Sequence, residues 1–223
     1  MDVRRTVPPA GELGESPFWP AAALVAAAVL YADLPSNFIA GGSAFGIVRW
    51  VVPALTFIVL ISLAAIRPHG RLTRRHLAIG AIAIVSAANA ASIGLLIHLL
   101  INNEQTTGQP LLRAAVHMWV VNVLLFGLWF WQLDGGGPIN RQTCTPAERD
   151  FLFPQHTEPA LAESGWRPEF LDYLYVSFTN AAAFSPTDTM PLSRWAKMLM
   201  LVQSAISLAL AVMVVARAVN IIG

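Results

Sequence analysis

Residues 170 to 184 read FLDYLYVSFTNAAAF, residues 185 to 193 read SPTDTMPLS, and residues 194 to 222 read RWAKMLMLVQSAISLALAVMVVARAVNII. In order, these are a short amphipathic stretch, a polar loop without glycine, and a long apolar stretch. Pro168 suits a first helical turn, where its missing N–H costs nothing, and Glu169 and Asp172 put negative charge where the helix dipole favours it. A helix is therefore predicted over 168–184. Its Phe170 to Phe184 portion, about 15 residues and about 22 Å long, is too short for a bilayer core of about 30 Å. The last carbonyls of such a helix lack partners, which is tolerable only against protein or a water-filled cavity. The stretch is accordingly expected to be re-entrant or interfacial. The helix expected over 193–222 is long enough to cross with tilt, and Ser204 and Ser207 are its polar interior residues.

Composition agrees with a lipid setting. Hydrophobic residues make up 56% of the chain and charged residues 12%, with a mean hydropathy of +0.58, the profile of an integral membrane protein. A net charge of +1 offers no basic face, so no nucleic-acid partner is expected. The lone Cys144 has no intrachain disulfide partner and lacks Cys/His spacings for a metal. No nucleophile elbow, His-Glu-x-x-His or P-loop pattern occurs, so neither an enzyme nor a cofactor is expected. Arg4 and Arg5 are followed by Pro8, Pro9, Glu12 and Glu15, and the first apolar run ends without a cleavage pattern, as a retained anchor would.

Five apolar runs approach or exceed spanning length. Phe18 to Ala32 is the shortest, broken by Asp33, Pro35, Ser36 and Asn37. Ile47 to Ile66 is bracketed by Arg49, Trp50 and Arg67-Pro68. Leu77 to Ile101 carries small residues (Ala87, Ala88, Ala90, Ala91, Ser86 and Ser92) that allow close helix approach. Ala114 to Leu133 ends in Leu128-Trp129-Phe130-Trp131, expected as an aromatic belt at a membrane surface, and Gly135-Gly136-Gly137-Pro138 stops it. A short helix is expected near Thr145 to Phe151, with Thr145 as cap. The fold class expected is an all-α integral membrane protein with about five transmembrane helices plus one re-entrant helix. Residues 1–17 form a tail, 18–101 peripheral helices, and 114–223 a unit made of an outer helix, a polar loop over 134–167, the short helix 168–184, a loop over 185–192 and the final helix 193–222.

Asp172-Tyr173-Leu174-Tyr175-Val176-Ser177-Phe178-Thr179 resembles the pore-helix motif of two-helix potassium channels. Pro191-Leu192-Ser193-Arg194-Trp195-Ala196-Lys197 resembles their link into the inner helix, and Val215-Ala216-Arg217 is similar to the end of that helix. The resemblance covers roughly the last quarter of the chain and extends to ion-channel-like actinobacterial membrane proteins with the same motif. It implies a pore fold assembled as a homotetramer. Aligned without gaps, the family's filter threonine falls on Ala183, its valine on Phe184, its two glycines on Ser185 and Thr187, its tyrosine on Pro186 and its aspartate on Asp188. Only the aspartate is kept. Glycine reaches left-handed backbone angles cheaply, whereas Ser185 and Thr187 resist them and Pro186 fixes its own φ and constrains Ser185. A potassium-type filter is therefore not expected.

The candidate pore residues are Thr179, Asn180, Ala183, Phe184, Ser185, Pro186, Thr187, Asp188 and Thr189, with Ser204 and Ser207 on the inner helix. Four copies of Ser185, Thr187, Asp188 and Thr189 around one axis would form a hydroxyl and carboxylate ring that attracts monovalent cations weakly. Alternatively, Asp188 braces its own loop and Phe184 plugs a sealed pore. Two other functions stand beside the channel: a non-conducting scaffold or lipid-interacting protein, and a small secondary transporter with its site at the break from Ala183 to Met190. The location expected is a bacterial inner membrane, crossed several times, with membrane lipids as partners. Asn89, His98, His117 and Asn122 read more readily as glue between helices than as functional groups. Arg67, Arg71, Arg74 and Arg75 predict a cytoplasmic loop, which by parity places the polar loop there too, against the outward-facing filter of the family.

Overall fold

The computed structural model describes residues 15–35, 38–39, 48–65, 71–101, 108–142, 144–158, 160, 163, 165–183 and 188–222. Among the described residues seven α-helices follow one another: α1 (Phe18–Ala32), α2 (Val48–Ala65), α3 (Arg71–Ile101), α4 (Gly108–Leu133), the single turn α5 (Pro154–Thr157), α6 (Phe170–Ala183) and α7 (Arg194–Ile222). Three segments of the described residues are long and apolar enough to cross a membrane, Arg75–Ile101, Gln109–Gly136 and Arg194–Val215, while Phe18–Ala32 and Trp50–Ser62 are shorter apolar helices. The protein is thus helical and of membrane type; of the five spans expected, three are helices of full spanning length among the described residues.

α4 is the centre of the bundle, packing against α1, α3, α6 and α7. The Leu128 to Trp131 segment faces inward: Leu128 and Phe130 are buried, and the Trp129 indole N–H donates to Ser86 Oγ on α3 at 3.0 Å. An indole needs a hydrogen-bond acceptor, and here protein supplies it, so the half-buried Trp129 and Trp131 pack against the core at the end of α4.

Contacts at the helix ends fix the directions. Glu15, just before α1, meets Arg141 and Trp131 beyond and at the end of α4, and Asp33, just after α1, meets Arg113 at the start of α4. α1 and α4 are therefore antiparallel. A β-carbon on Gly137 would lie 3.5 Å from Arg75 Nε, which puts the start of α3 beside the end of α4. The arginine-bearing end of α3 and the polar loop consequently share one end of the bundle, the parity that the charge pattern demanded.

Beyond α4 the chain turns through Gly135, Gly136 and Gly137, with φ of 56°, 78° and 101°. Left-handed angles in three successive residues are cheap only for glycine. One 3₁₀ turn, Pro146–Glu148, stands where a helix near Thr145 was expected, and Glu148 Oε2 accepts from the Thr145 N–H at 2.7 Å. An antiparallel ladder absent from the all-α expectation joins β1 (Phe151–Leu152) to β2 (Met190–Pro191), with Leu152 opposite Met190. Two residues per strand give no hydrophobic alternation to read in a sequence.

Candidate functional site

α6 begins at the polar-loop end. Its first turn is closed by Asp172, whose Oδ2 accepts the Glu169 N–H at 2.7 Å. Glu15, remote in sequence, accepts the Phe170 N–H at 2.6 Å, as well as the Trp131 indole N–H at 2.7 Å and the Arg141 guanidinium at 3.1 Å. Burial pushes the Glu15 carboxyl above its ordinary range, and the Arg141 charge opposes that shift. Asp134 makes the second cap. Its Oδ1 accepts the N–H groups of Asp150 at 2.8 Å and Phe151 at 3.2 Å, and its Oδ2 accepts the Tyr173 hydroxyl. The Arg141 guanidinium lies 4.8 Å from the centre of the Tyr173 ring. These contacts fix where and at what angle α6 enters the bundle.

With 14 residues, α6 is about 21 Å long. It lies close against α4: a β-carbon on Gly127 would sit 3.2 Å from Leu174 Cα. The ladder then holds Met190 and Pro191 against Phe151 and Leu152, and the Leu192 N–H donates to the Asp150 carbonyl at 2.7 Å. The chain has thus returned to the end where α6 entered, and α7 starts there three residues after β2. α6 and α7 run in the same direction from one end of the bundle.

Between α4, α6 and α7 lies a buried seam of amides and hydroxyls centred on Gln203, which is 0% exposed. Gln203 Nε2 donates to Ser177 Oγ at 2.7 Å and to the Ser177 carbonyl at 2.9 Å. Ser177 Oγ donates to the Val123 carbonyl at 2.6 Å. Asn180 Nδ2 donates to Gln203 Oε1 at 2.9 Å and to the Met200 carbonyl at 3.0 Å. Asn122 Nδ2 donates to Ser207 Oγ at 3.1 Å. Ser204 Oγ donates to Asn180 Oδ1 at 3.1 Å and to the Asn180 carbonyl at 3.3 Å. That last carbonyl is among the four that a helix ending at Ala183 leaves without a partner in the helix, so α7 supplies one of the missing donors.

Of the residues singled out in the sequence, Asn180, Ser204 and Ser207 meet in this seam. Ser204 and Ser207 face α6 and α4, where their hydroxyls are already bonded. Thr179 Oγ1 donates to the carbonyls of Tyr175 and Val176, both at 3.0 Å, within its own helix. Ala183 ends α6, Asp188 is exposed and Thr189 is buried. Phe184, Ser185, Pro186 and Thr187 lie outside the described residues. Gln203 and Ser177, the hub and its nearest partner, were not singled out. Gln203 and Ser207 are one helical turn apart, and that i,i+4 polar pair inside an apolar run was the available signal.

The other polar positions separate into satisfied and unsatisfied groups. Asn122 belongs to the seam, and His117 meets Asp33 at 3.0 Å. Asn89 is buried and its Oδ1 has no hydrogen-bond partner among the described residues. No group of three or more His, Cys, Asp or Glu among the described residues could hold a metal ion. No protein-family model, curated protein or solved structure matches the chain.

Proposed function

We propose that this protein is a potassium-channel-like membrane protein with a non-standard filter, a homotetramer of pore units crossing a bacterial inner membrane several times. The observation that carries the reading is the pairing of Met190 with Leu152. It returns the chain to the end from which α6 entered, giving the succession of full-length helix, part-way helix, returning loop and full-length helix expected of a pore unit. A helix ending part way through a bilayer is stable only where its last carbonyls meet protein or water. Ser204 provides for one of them, and a water-filled axis between subunits provides for the others. The absence of glycine from 185–192 makes this pore weakly selective among monovalent cations, with Asp188 and its hydroxyl neighbours as the attracting ring.

A specific observation supports a second reading, a non-conducting scaffold that keeps the pore fold for assembly. Gln203, Ser204 and Ser207 all turn toward α4 and α6, and the outward face of α7 is apolar, with Met198, Leu201, Val202, Leu208, Val212 and Val215 exposed. A conduit lined by that face would repel water.

Two measurements on purified protein in lipid separate the readings. Crosslinking should give tetramers, and monomers alone would remove the pore reading. Flux of monovalent cations that falls in Asp188→Asn supports the conducting form. Tetramers without flux support the scaffold, and a potassium-selective current would contradict the filter argument.

A further inference from the structure

Arg75 opens the span Arg75–Ile101 and brings a positive charge to the level where hydrocarbon gives way to headgroups. Its Nε is buried and has no hydrogen-bond partner, and no ion pair among the described residues involves it. The guanidinium lies against the glycine turn that ends α4: a β-carbon on Gly137 would sit 3.5 Å from Nε and 3.9 Å from Cζ. Gly137 has a φ of 101°, so glycine serves the backbone there and also leaves the space beside which the guanidinium packs. The acids of that turn are committed elsewhere. Asp134 accepts from the backbone of Asp150 and Phe151 and from the Tyr173 hydroxyl, and Asp150 accepts the Gly135 N–H at 3.1 Å.

A guanidinium does not lose its charge in a protein, and a partly buried one without partners is costly. Its position sharpens the demand. Arg71, Arg74 and Arg75 all stand in the first two turns of α3, and no acidic residue stands in the first turn. The helix dipole is positive at this end, so the three charges add to it where a carboxylate would oppose it. The partner such a group calls for is an anion. Where a span begins, the abundant anion is a lipid phosphate, and the positive-inside rule assigns an arginine cluster to the cytoplasmic face, whose leaflet carries anionic headgroups.

We propose that Arg75, held against Gly137, binds the phosphate of an anionic phospholipid at the polar-loop end of the bundle. The planar guanidinium presents its N–H groups as a fork that matches two phosphate oxygens, which an ammonium group does not do. Packing of its Nε edge beside Gly137 fixes how the fork is turned. The positive charge of Arg71 and Arg74 in the same turns favours an anionic headgroup over a zwitterionic one, whose own ammonium opposes it. The site belongs to α3, outside the pore-like unit of residues 114–223, and therefore does not depend on conduction.

Native mass spectrometry of the whole protein, released from neutral detergent with added phosphatidylglycerol or phosphatidylcholine, tests this. The protein should hold phosphatidylglycerol more tightly than phosphatidylcholine, and Arg75→Gln should weaken phosphatidylglycerol about fivefold, the worth of one arginine at an anionic membrane surface. Arg75→Lys keeps the charge without the fork; it should fall between the two, and carries the comparison if Arg75→Gln does not fold. Arg194→Gln removes an exposed charge from the same end of the bundle and should leave the affinity unchanged. Equal binding of the two lipids, wild-type affinity in both Arg75 variants, or an equal loss in Arg194→Gln overturns the proposal. So does full competition by inorganic phosphate, which would make the ligand a soluble anion and not a lipid.

Discussion

The side-chain amide of Gln203 on α7 donates to both oxygens of Ser177 on α6, its Oγ at 2.7 Å and its carbonyl at 2.9 Å. Ser177 Oγ is thereby free to donate onward to α4, at the Val123 carbonyl. One amide and one hydroxyl thus connect three helices. The expected cost of breaking them follows from the groups left behind. Gln203→Leu strips Asn180 Nδ2 of one acceptor and Ser177 of its donor, and should destabilise the fold by about 2 to 3 kcal/mol in detergent unfolding. Adding Ser177→Ala should cost less than the sum of the two single changes, because the partners are then removed together.

Asn89 and Asn122 give opposite expectations for one residue type. Asn122 is bonded to Ser207, so Asn122→Leu should lower stability by about 1 kcal/mol or more. Asn89 Oδ1 is buried without a partner among the described residues. Asn89→Leu should be neutral or stabilising, since it removes an unsatisfied acceptor. Thermal unfolding of the two variants side by side checks the contrast.

Gly127 is where α4 admits α6. A β-carbon at this position would meet Leu174 Cα at 3.2 Å and Leu174 Cδ1 at 3.3 Å, so Gly127→Val should push the helices apart at about 1 to 3 kcal/mol. Near-ultraviolet circular dichroism should change with it, because the Phe151 ring packs between Phe130 on α4 and Tyr173 on α6.

His156 should make the polar-loop cap acid-sensitive. Its Nδ1 accepts the Phe153 N–H, and burial, reinforced by the Arg149 charge, lowers it from the usual 6.5 to about 4. The folded chain therefore keeps the ring neutral where the unfolded chain takes a proton. The associated stability is complete above pH 6.5 and is lost as the pH falls toward 4, by about 1 kcal/mol after allowance for solvent screening. His156→Phe should flatten the pH dependence of unfolding over that window.

The two ends of the bundle should differ in accessibility. In a Cys144→Ser background, His76→Cys and Met190→Cys should react with an impermeant maleimide from one side of the membrane, and Leu112→Cys from the other. Labelling of His76→Cys and Leu112→Cys from the same side would contradict the antiparallel course of α3 and α4.

The sequence made the helices legible because apolar run length is a local property. The expectation for Phe18 to Ala32 coincides with α1, and the expected start at Ser193 or Arg194 agrees with α7. The short helix was legible from Pro168, Glu169 and Asp172, residues that act within one turn of its start. The β1 and β2 ladder was not, because Leu152 and Met190 are paired by the course of the intervening chain and not by their own character. Nor were the acceptors of the Trp129 and Trp131 indoles, Ser86 on α3 and Glu15 before α1, because only the position of α4 among its neighbours brings those partners within reach. In the site, Asn180, Ser204 and Ser207 were visible as polar letters in apolar runs. Their partner Gln203 was as visible, but which helix each side chain faces depends on how the bundle is assembled.

Glu15 has a consequence for biogenesis. Its backbone partner, Phe170, lies 155 positions later in the chain. A nascent polypeptide must hold this acid without that contact until most of its length has left the ribosome. In water that acid is ionised, and its burial in the finished fold pushes the carboxyl above its ordinary range, so Arg141 must arrive with it to hold the charge. Docking of α6 then becomes a late step of assembly, and truncation upstream of it should leave a product that is integrated but recognisably unfinished to the cell's proteolytic surveillance.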